Sequence, residues 1–162
     1  LKALDIVKTC DKIYLENYTS ILESSIEAME ELYGKKIILA DRDMVENKAE
    51  DTILADAKNM DIAFLVVGDI FGATTHTDLV LRAKKKGIDV RYLHNSSIMT
   101  AIGVTGLELY KFGKTTSMVF FDEKWNPATA YDVVKMNRKN GLHTLVLLDI
   151  KVAEPSKGDI LG

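Results

Sequence analysis

The stretch that most constrains the fold runs from Ile62 to Asp78 and reads IAFLVVGDIFGATTHTD. It opens with six apolar residues in a row, which end at Gly68-Asp69. A strand that is buried on both faces has no reason to alternate polar and apolar residues, so this run predicts a central strand of a parallel sheet. A second glycine, Gly72, follows in a short loop, and Thr74-Thr75 marks the expected start of a helix. Ligands of parallel sheets gather beyond the carboxyl ends of the strands, so we expect a small-molecule site at this loop.

The composition is that of an ordinary globular protein. A length of 162 residues is enough for one domain with a substantial core. Of these residues, 47% are apolar and 28% are charged. The net charge of -3 argues against nucleic acid as the main partner, because phosphate binding depends on clustered Lys and Arg. The longest basic run, at residues 84–86, comes just before Gly87 and is interpreted as the end of a helix.

The lone cysteine and the two ends of the chain set further expectations. Cys10 has no partner for an internal disulfide, which favours a reducing compartment and a cytoplasmic location. No apolar run approaches the length of a bilayer and no signal peptide opens the chain, so we expect no membrane partner. The chain begins at Leu1 within a helical pattern and ends in a polar segment at residues 154–159. We therefore expect a fragment that is truncated at both ends.

Strand and helix patterns alternate along the chain, which predicts an α/β domain with a mostly parallel sheet flanked by helices. This domain is expected to cover residues 1–152, with a polar tail or the start of a linker at 153–162. Asp41 or Asp43 is expected to cap a helix, and Gly34 and Gly141 to end two others. Strands are predicted at residues 12–18, 36–40, 62–67, 89–94, 115–121 and 143–148. Helices are predicted at residues 1–7, 26–33, 52–60, 75–86, 98–104 and 130–140.

Three of the predicted strands deliver polar or small residues into loops at their carboxyl ends. If these strands are neighbours, the loops converge on one edge of the sheet. Asp69 could accept hydrogen bonds from a ligand, or it could cap or turn its own loop, and Gly72 lies in the same loop. Ser97 could also bond a ligand, although capping its own helix is the favoured interpretation. Ile98 and Leu148 could form the walls around an apolar ring.

The loop after the apolar run lacks the motifs of common phosphate-binding and catalytic sites. No Gly-Lys-Ser/Thr follows it, and Gly68 and Gly72 do not have the spacing of G-x-G-x-x-G. His76, His94 and His143 each stand alone in the sequence, without Cys partners, which argues against a metal site. No Gly-x-Ser-x-Gly motif supports a serine nucleophile. Spacing alone therefore predicts a small-molecule-binding α/β domain and no particular reaction.

Five segments carry a resemblance to a known family. They are LENYTSIL (15–22), VVGDIFGATTHTDLVLRA (66–83), HNSSIMTAIG (94–103), TGLELYKFGKT (105–115) and GLHTLVLLDIKV (141–152). In unbroken order they resemble the diphthine synthases, methyltransferases of the tetrapyrrole methylase superfamily, with the eukaryotic branch the closer match. The resemblance implies the N-terminal domain of the tetrapyrrole methylase fold, with S-adenosylmethionine bound between two α/β domains, in a homodimer. It also implies methylation of the amino group on a modified histidine of elongation factor 2, a step toward diphthamide.

The resemblance extends to individual residues of the expected cofactor site. The family's loop usually reads Gly-Asp-Pro, and Ile70 stands here in place of the proline, which would loosen the turn. The family also opens with a strand and a glycine-rich loop that contribute to the pocket, and this chain starts after them. The expected site is therefore part of a larger pocket. The cofactor contacts that carry over position by position are Asp69, Gly72, Ser97, Ile98 and Leu148.

Two other functions stay open on the sequence. Another member of the superfamily would methylate a corrinoid, a porphyrin precursor or ribosomal RNA, and a non-catalytic module would serve as a scaffold or dimer surface. Transfer from a sulfonium needs no metal, but an accepting amine must first lose a proton. The sequence identifies no base for that proton. His76 and His94 lie near predicted strand ends, where structural roles are favoured.

Overall fold

The computed structural model describes residues 2–20, 22–73, 76–122 and 125–150. These residues form two compact units, one up to Asn95 and one from Ser96 onward. The predicted domain boundary at residue 152 lies outside the described residues, so a single domain over 1–152 and a tail at 153–162 stay predictions. The strands are β1 (Lys12–Glu16), β2 (Ile37–Ala40), β3 (Ile62–Leu65), β4 (Thr116–Met118) and β5 (Val146–Leu148). The helices are α1 (Lys2–Thr9), α2 (Ile26–Tyr33), α3 (Arg42–Glu46), α4 (Ile53–Asp56), α5 (Thr77–Lys85), α6 (Ile98–Ala101) and α7 (Thr129–Lys139), with 3-10 turns at Ile102–Thr105 and Leu109–Lys111.

The first unit is built on three parallel strands in the order β2-β1-β3. Ile13 of β1 lies opposite Ile37 of β2 and Ala63 of β3. The middle strand is thus β1, and the prediction that the apolar run from Ile62 forms a central strand was wrong within the described sheet. Four of the five residues of β1 are buried, among them Glu16. The strand itself is predicted at residues 12–18, but the charged Glu16 gives no sign in the sequence that this strand is the most buried one.

Helices cover both faces of this sheet, because successive side chains of β1 point in opposite directions. Ile13 packs on one face, where α1 contributes Val7. Tyr14 packs on the other face, against α4 and α5. The buried residues on the second face include Tyr14, Tyr18, Val45, Ile53, Leu54, Leu79 and Ala83.

Local signals set the helix ends in this unit. Gly34 adopts a left-handed φ of 71° and closes α2, as predicted, because a residue with a side chain rarely adopts this conformation. The backbone N–H of Met44 donates to Asp41 Oδ1 at 2.8 Å, which confirms Asp41 as the cap of α3. The helix start expected at Thr74-Thr75 lies outside the described residues, and α5 begins at Thr77.

The segment at residues 88–95 differs from its prediction. It was expected to form a strand over 89–94, but in the part of the chain that the structure describes it joins no sheet. Side chains hold it instead: Ile88 and Val90 pack on the core, and the ring of Tyr92 lies 5.3 Å from that of Phe71. The apolar residues alternate here because their side chains pack on the core. The backbone forms no ladder of hydrogen bonds with a neighbouring strand among the described residues.

The second unit contains the parallel pair β4 and β5, with Thr116 opposite Val146. Asn137 of α7 is buried and donates to Lys114 O at 2.8 Å and to Thr144 Oγ1 at 2.9 Å, while its own oxygen accepts from Lys114 N–H. A Cβ at Gly113 would clash with Oδ1 of the buried Asn137, so glycine suits this close approach. This amide thus fixes α7 to the loops beside the sheet.

Both sheets are parallel and are accompanied by helices, which confirms the predicted α/β class. None of the described helices combines the length and the apolar character that a membrane crossing requires.

Candidate functional site

The candidate site is the loop that follows β3, and Asp69 organises it. The backbone N–H of Phe71 donates to Asp69 Oδ1 at 2.9 Å, and the N–H of Gly72 donates to the carbonyl of Asp69 at 3.2 Å. Gly68 has a φ of 90°, which allows the chain to turn sharply at the end of the strand. The turn therefore forms with Ile70 where the family usually has proline.

The other oxygen of Asp69 reaches across to the segment at residues 88–95. Its Oδ2 accepts from the backbone N–H of Asn95 at 3.0 Å and lies 3.0 Å from Nδ1 of His94. Hydrogen bonds from the Phe71 and Asn95 backbones, and then from His94, lower the pKa of Asp69 below its ordinary value. Of the two roles considered for Asp69, stabilisation of its own loop is directly visible, whereas contact with a ligand stays a prediction.

His94 presents most of its ring to solvent. Its side chain is 69% exposed, whereas that of Asp69 is 12% exposed. Because an ionised carboxylate can only accept, Nδ1 of His94 carries the proton of this hydrogen bond. The neutral imidazole then has its lone pair on Nε2, which has no hydrogen-bond partner among the described residues. The ring of Phe71, centred 6.0 Å away, borders this imidazole.

A second acidic residue and histidine meet nearby in the same unit, at the end of β1 and the start of α5. Glu16 accepts hydrogen bonds from the backbone N–H groups of Tyr18 and Thr19 and from the Thr19 hydroxyl, at 2.6 to 2.7 Å. His76 Nε2 lies 3.8 Å from Glu16 Oε2, and the His76 ring packs edge-on against Phe64. Burial by itself raises the pKa of Glu16, but His76 and these hydrogen bonds together lower it below its ordinary value.

The sequence did not predict that Asp69 pairs with His94 or that Glu16 pairs with His76. Glu16 carries no motif, and its role depends on backbone groups of the turn that follows it. His94 was noted only as a residue near a strand end, where a structural role was favoured. The available signal was its position directly before Asn95, on a segment expected to end at the same edge as Asp69.

The other predicted site residues lie in the second unit. Ser97 Oγ accepts from the N–H of Met99 at 3.2 Å, which confirms that it caps α6. Ile98 is the first residue of α6, and its side chain is partly exposed. Leu148 ends β5 and is 72% exposed. Thus Asp69 and Gly72 lie together in one unit, and Ser97 and Ile98 lie together in the other.

The two units present different kinds of surface at these residues. In the first unit, Gly72 has no side chain to cover the backbone of its loop, and in the second unit Ile98 and Leu148 have exposed apolar side chains. Within the described ranges, no cluster of three or more His, Cys, Asp or Glu side chains could hold a metal ion.

Comparison with known proteins identifies the family. The model for tetrapyrrole (corrin/porphyrin) methylases matches residues 1–156. A diphthine methyl ester synthase from Kluyveromyces lactis is 59% identical over 157 residues, which are 96% of this chain and 52% of that protein. The Homo sapiens diphthine methyl ester synthase is 56% identical over 161 residues, which are 99% of this chain and 56% of that protein.

A solved structure agrees with these relatives. The crystal structure of a diphthine synthase matches with a TM-score of 0.87 and 39% identity, over 96% of this chain and 60% of that one. The chain spans about half the length of the curated relatives that it matches. The resemblance predicted from the five segments is confirmed: the chain belongs to the tetrapyrrole methylase family and, within it, is similar to diphthine methyl ester synthases.

Proposed function

We propose that this chain is part of an S-adenosylmethionine-dependent methyltransferase that methylates a modified histidine of elongation factor 2 in diphthamide biosynthesis. The observation that carries the proposal is the 56% identity with the Homo sapiens diphthine methyl ester synthase over 99% of this chain. The matched region is 99% of this chain and therefore includes the loop of Asp69 and the segment of His94. The donor supplies a methyl group that is already activated as a sulfonium, so the protein's work is to bind, orient and exclude water.

The proposed cofactor contacts are those carried over from the family. Asp69 supports cofactor binding by holding its loop in place. Its carboxylate already accepts hydrogen bonds from Phe71, Asn95 and His94. Gly72 offers backbone groups, and Ser97 holds the start of α6. Ile98 and Leu148 offer apolar side chains for the adenine ring, which is the usual way in which such pockets take up a flat aromatic group.

Two groups of the proposed substrate could accept a methyl group: an amino group and a carboxylate. An amino group is protonated at neutral pH, and it attacks a methyl group only after losing that proton. The relatives are named for a methyl ester, whose oxygen comes from a carboxylate. A carboxylate is already ionised at neutral pH and needs no base.

The proposal includes the setting of the reaction. The protein acts in the cytoplasm as a homodimer, with elongation factor 2 as its protein substrate, and with neither nucleic acid nor a membrane as a partner. The net charge of -3 supports the lack of a nucleic-acid partner, and the single, buried Cys10 supports a reducing compartment.

The complete protein with labelled S-adenosylmethionine tests the proposal. We expect label on the modified histidine when elongation factor 2 carries the unmethylated precursor, measured by mass spectrometry of the peptide. Elongation factor 2 with an unmodified histidine is the matched control and should stay unlabelled. Label on a corrinoid, a porphyrin precursor or ribosomal RNA instead would assign the protein to another branch of the family. Failure to bind S-adenosylmethionine in equilibrium dialysis would make it a scaffold.

A further inference from the structure

We propose that His94 is the base that removes the proton from the accepting amine, and that Asp69 is the residue that positions it. This inference rests on the proposed function, because it assigns a residue to the amine reaction. It starts from a juxtaposition in the first unit: an exposed imidazole held at one nitrogen by a carboxylate that is itself fixed by two backbone N–H groups.

The hydrogen bond orients the ring and selects its tautomer. With Asp69 Oδ2 3.0 Å from Nδ1, the neutral His94 keeps its proton on Nδ1 and its basic lone pair on Nε2. Asp69 cannot swing away without losing its bonds to Phe71 and Asn95. A carboxylate behind an imidazole also stabilises the imidazolium that forms when Nε2 gains a proton.

Accessibility separates His94 from the other two histidines, all three of which the structure describes. His76 is 4% exposed at its side chain and lies among aromatic rings, so a substrate amine cannot reach it. His143 lies in the second unit with its ring 5.4 Å from that of Phe112, and among the described residues no carboxylate forms an ion pair with it. His94 combines a carboxylate at Nδ1 with a side chain that is 69% exposed.

The charges around His94 suit this role. Among the described residues, Asp69 is the charged group in contact with the ring, and the tilted ring of Phe71 lies 6.0 Å from it between centres. Lys84 Nζ lies 5.4 Å from the centre of the Tyr92 ring, which in turn packs on Phe71. The charge in contact with the ring is therefore the negative one of Asp69.

The proton balance of the reaction predicts a selective effect. For each methyl group that it gains, the amine loses one proton to Nε2, and the imidazolium then releases that proton to water. The new N–C bond forms as the C–S bond of the donor breaks, with the electron pair remaining on sulfur. A carboxylate acceptor forms its O–C bond with no proton to remove. His94 is therefore needed for the amine and not for the carboxylate.

The test uses His94→Gln in the complete protein, with His143→Gln as the matched control. N-methylation and methyl ester formation on elongation factor 2 are measured separately by mass spectrometry, over a series of pH values. We expect His94→Gln to slow N-methylation about 100-fold near neutral pH, as loss of a general base does, with ester formation within about threefold of wild type. The N-methylation defect should shrink as rising pH deprotonates the amine in solution. His143→Gln should slow neither reaction.

A second readout does not depend on activity. Nitrogen NMR of the His94 ring in the complete protein should show the proton on Nδ1 in the neutral form, and Asp69→Asn should weaken that preference. Equal loss of both reactions at every pH, no loss of N-methylation, or a neutral ring protonated at Nε2 would overturn the inference. If wild-type protein methylates no elongation factor 2, the proposed function itself fails, and the base role fails with it.

Discussion

Two carboxylate–imidazole pairs in the first unit have the same chemical composition and opposite surroundings. The side chains of Glu16 and His76 are 0% and 4% exposed, and their nearest atoms are 3.8 Å apart. Those of Asp69 and His94 are 12% and 69% exposed, at 3.0 Å. Each carboxylate follows or ends a strand and accepts two backbone N–H groups. Those on Glu16 come from Tyr18 and Thr19 in the turn after it, whereas those on Asp69 come from Phe71 in its own loop and from Asn95, 26 residues away.

Both pairs stabilise the fold, but only the Asp69–His94 pair presents a ring nitrogen that a substrate can reach. In both pairs the carboxylate organises a loop at the carboxyl end of the sheet. The imidazoles differ: His76 is enclosed by Phe64 and Tyr18, whereas His94 leaves Nε2 open. Burial makes the first pair a structural connection between β1 and α5, and exposure makes the second available for proton transfer.

The largest effect on stability should come from Glu16→Ala. Removal of this buried carboxylate leaves the N–H groups of Tyr18 and Thr19 without their acceptor, so we expect the free energy of unfolding to fall by about 3 kcal/mol. Glu16→Gln is the matched control, because its amide oxygen still accepts, and it should lose roughly half as much. Denaturant unfolding measures both variants. A loss below about 1 kcal/mol for Glu16→Ala would show that these groups find other partners.

Asp69→Ala should weaken cofactor binding more than it lowers the stability of the fold. Without the carboxylate, the loop that carries Gly72 loses its connections to Phe71 and Asn95, and we expect S-adenosylmethionine to bind about tenfold more weakly. Asp69→Asn retains an oxygen acceptor and should fall between wild type and alanine. Calorimetric titration of the complete protein measures the affinity. An unchanged affinity would contradict the carried-over role of Asp69.

The fold was predictable wherever the signal is local. Gly34 and Asp41 act within their own turns, and the sequence places both correctly. The position of β1 in the middle of its sheet was not predictable, because the burial of Glu16 depends on hydrogen bonds that exist only in the folded turn. The segment at 89–94 has the pattern of a strand, yet side-chain packing holds it in place and its backbone joins no described sheet.

The same limit applies to the candidate site. The bond from Phe71 to Asp69 spans two residues and follows from the known turn chemistry of aspartate. The bonds from His94 and Asn95 span 25 and 26 residues, and only the tertiary structure brings them to Asp69. Sequence therefore identifies the loop and both possible roles of Asp69, but not the histidine that it positions.

Acid should weaken the fold through both carboxylates. The pKa values of Glu16 and Asp69 are lower in the folded protein than their ordinary values of 4.5 and 3.8, so the unfolded chain binds protons more readily. Their stabilising contribution is complete above those ordinary values and is lost as pH falls through the lower, folded-state values. We expect the free energy of unfolding to decline below about pH 4.5 and the decline to be shallower in Glu16→Gln. Urea unfolding over a pH series measures this, and an equal slope in both proteins would refute the role of Glu16.

The smallest effect should come from His76→Phe, which directly tests whether exposure decides between the two histidines. Neither ring nitrogen of His76 has a hydrogen-bond partner among the described residues, and the ring lies 5.3 Å from Phe64 and 6.3 Å from Tyr18. An aromatic replacement retains this packing, so we expect N-methylation within about threefold of wild type, far from the loss expected for His94→Gln. Glu16 would lose the neighbour that helps to lower its pKa, so the acid decline should become shallower. If His76→Phe slowed N-methylation as much as His94→Gln, burial would not separate the two pairs, because an enclosed ring that reaches no substrate would matter as much as an open one.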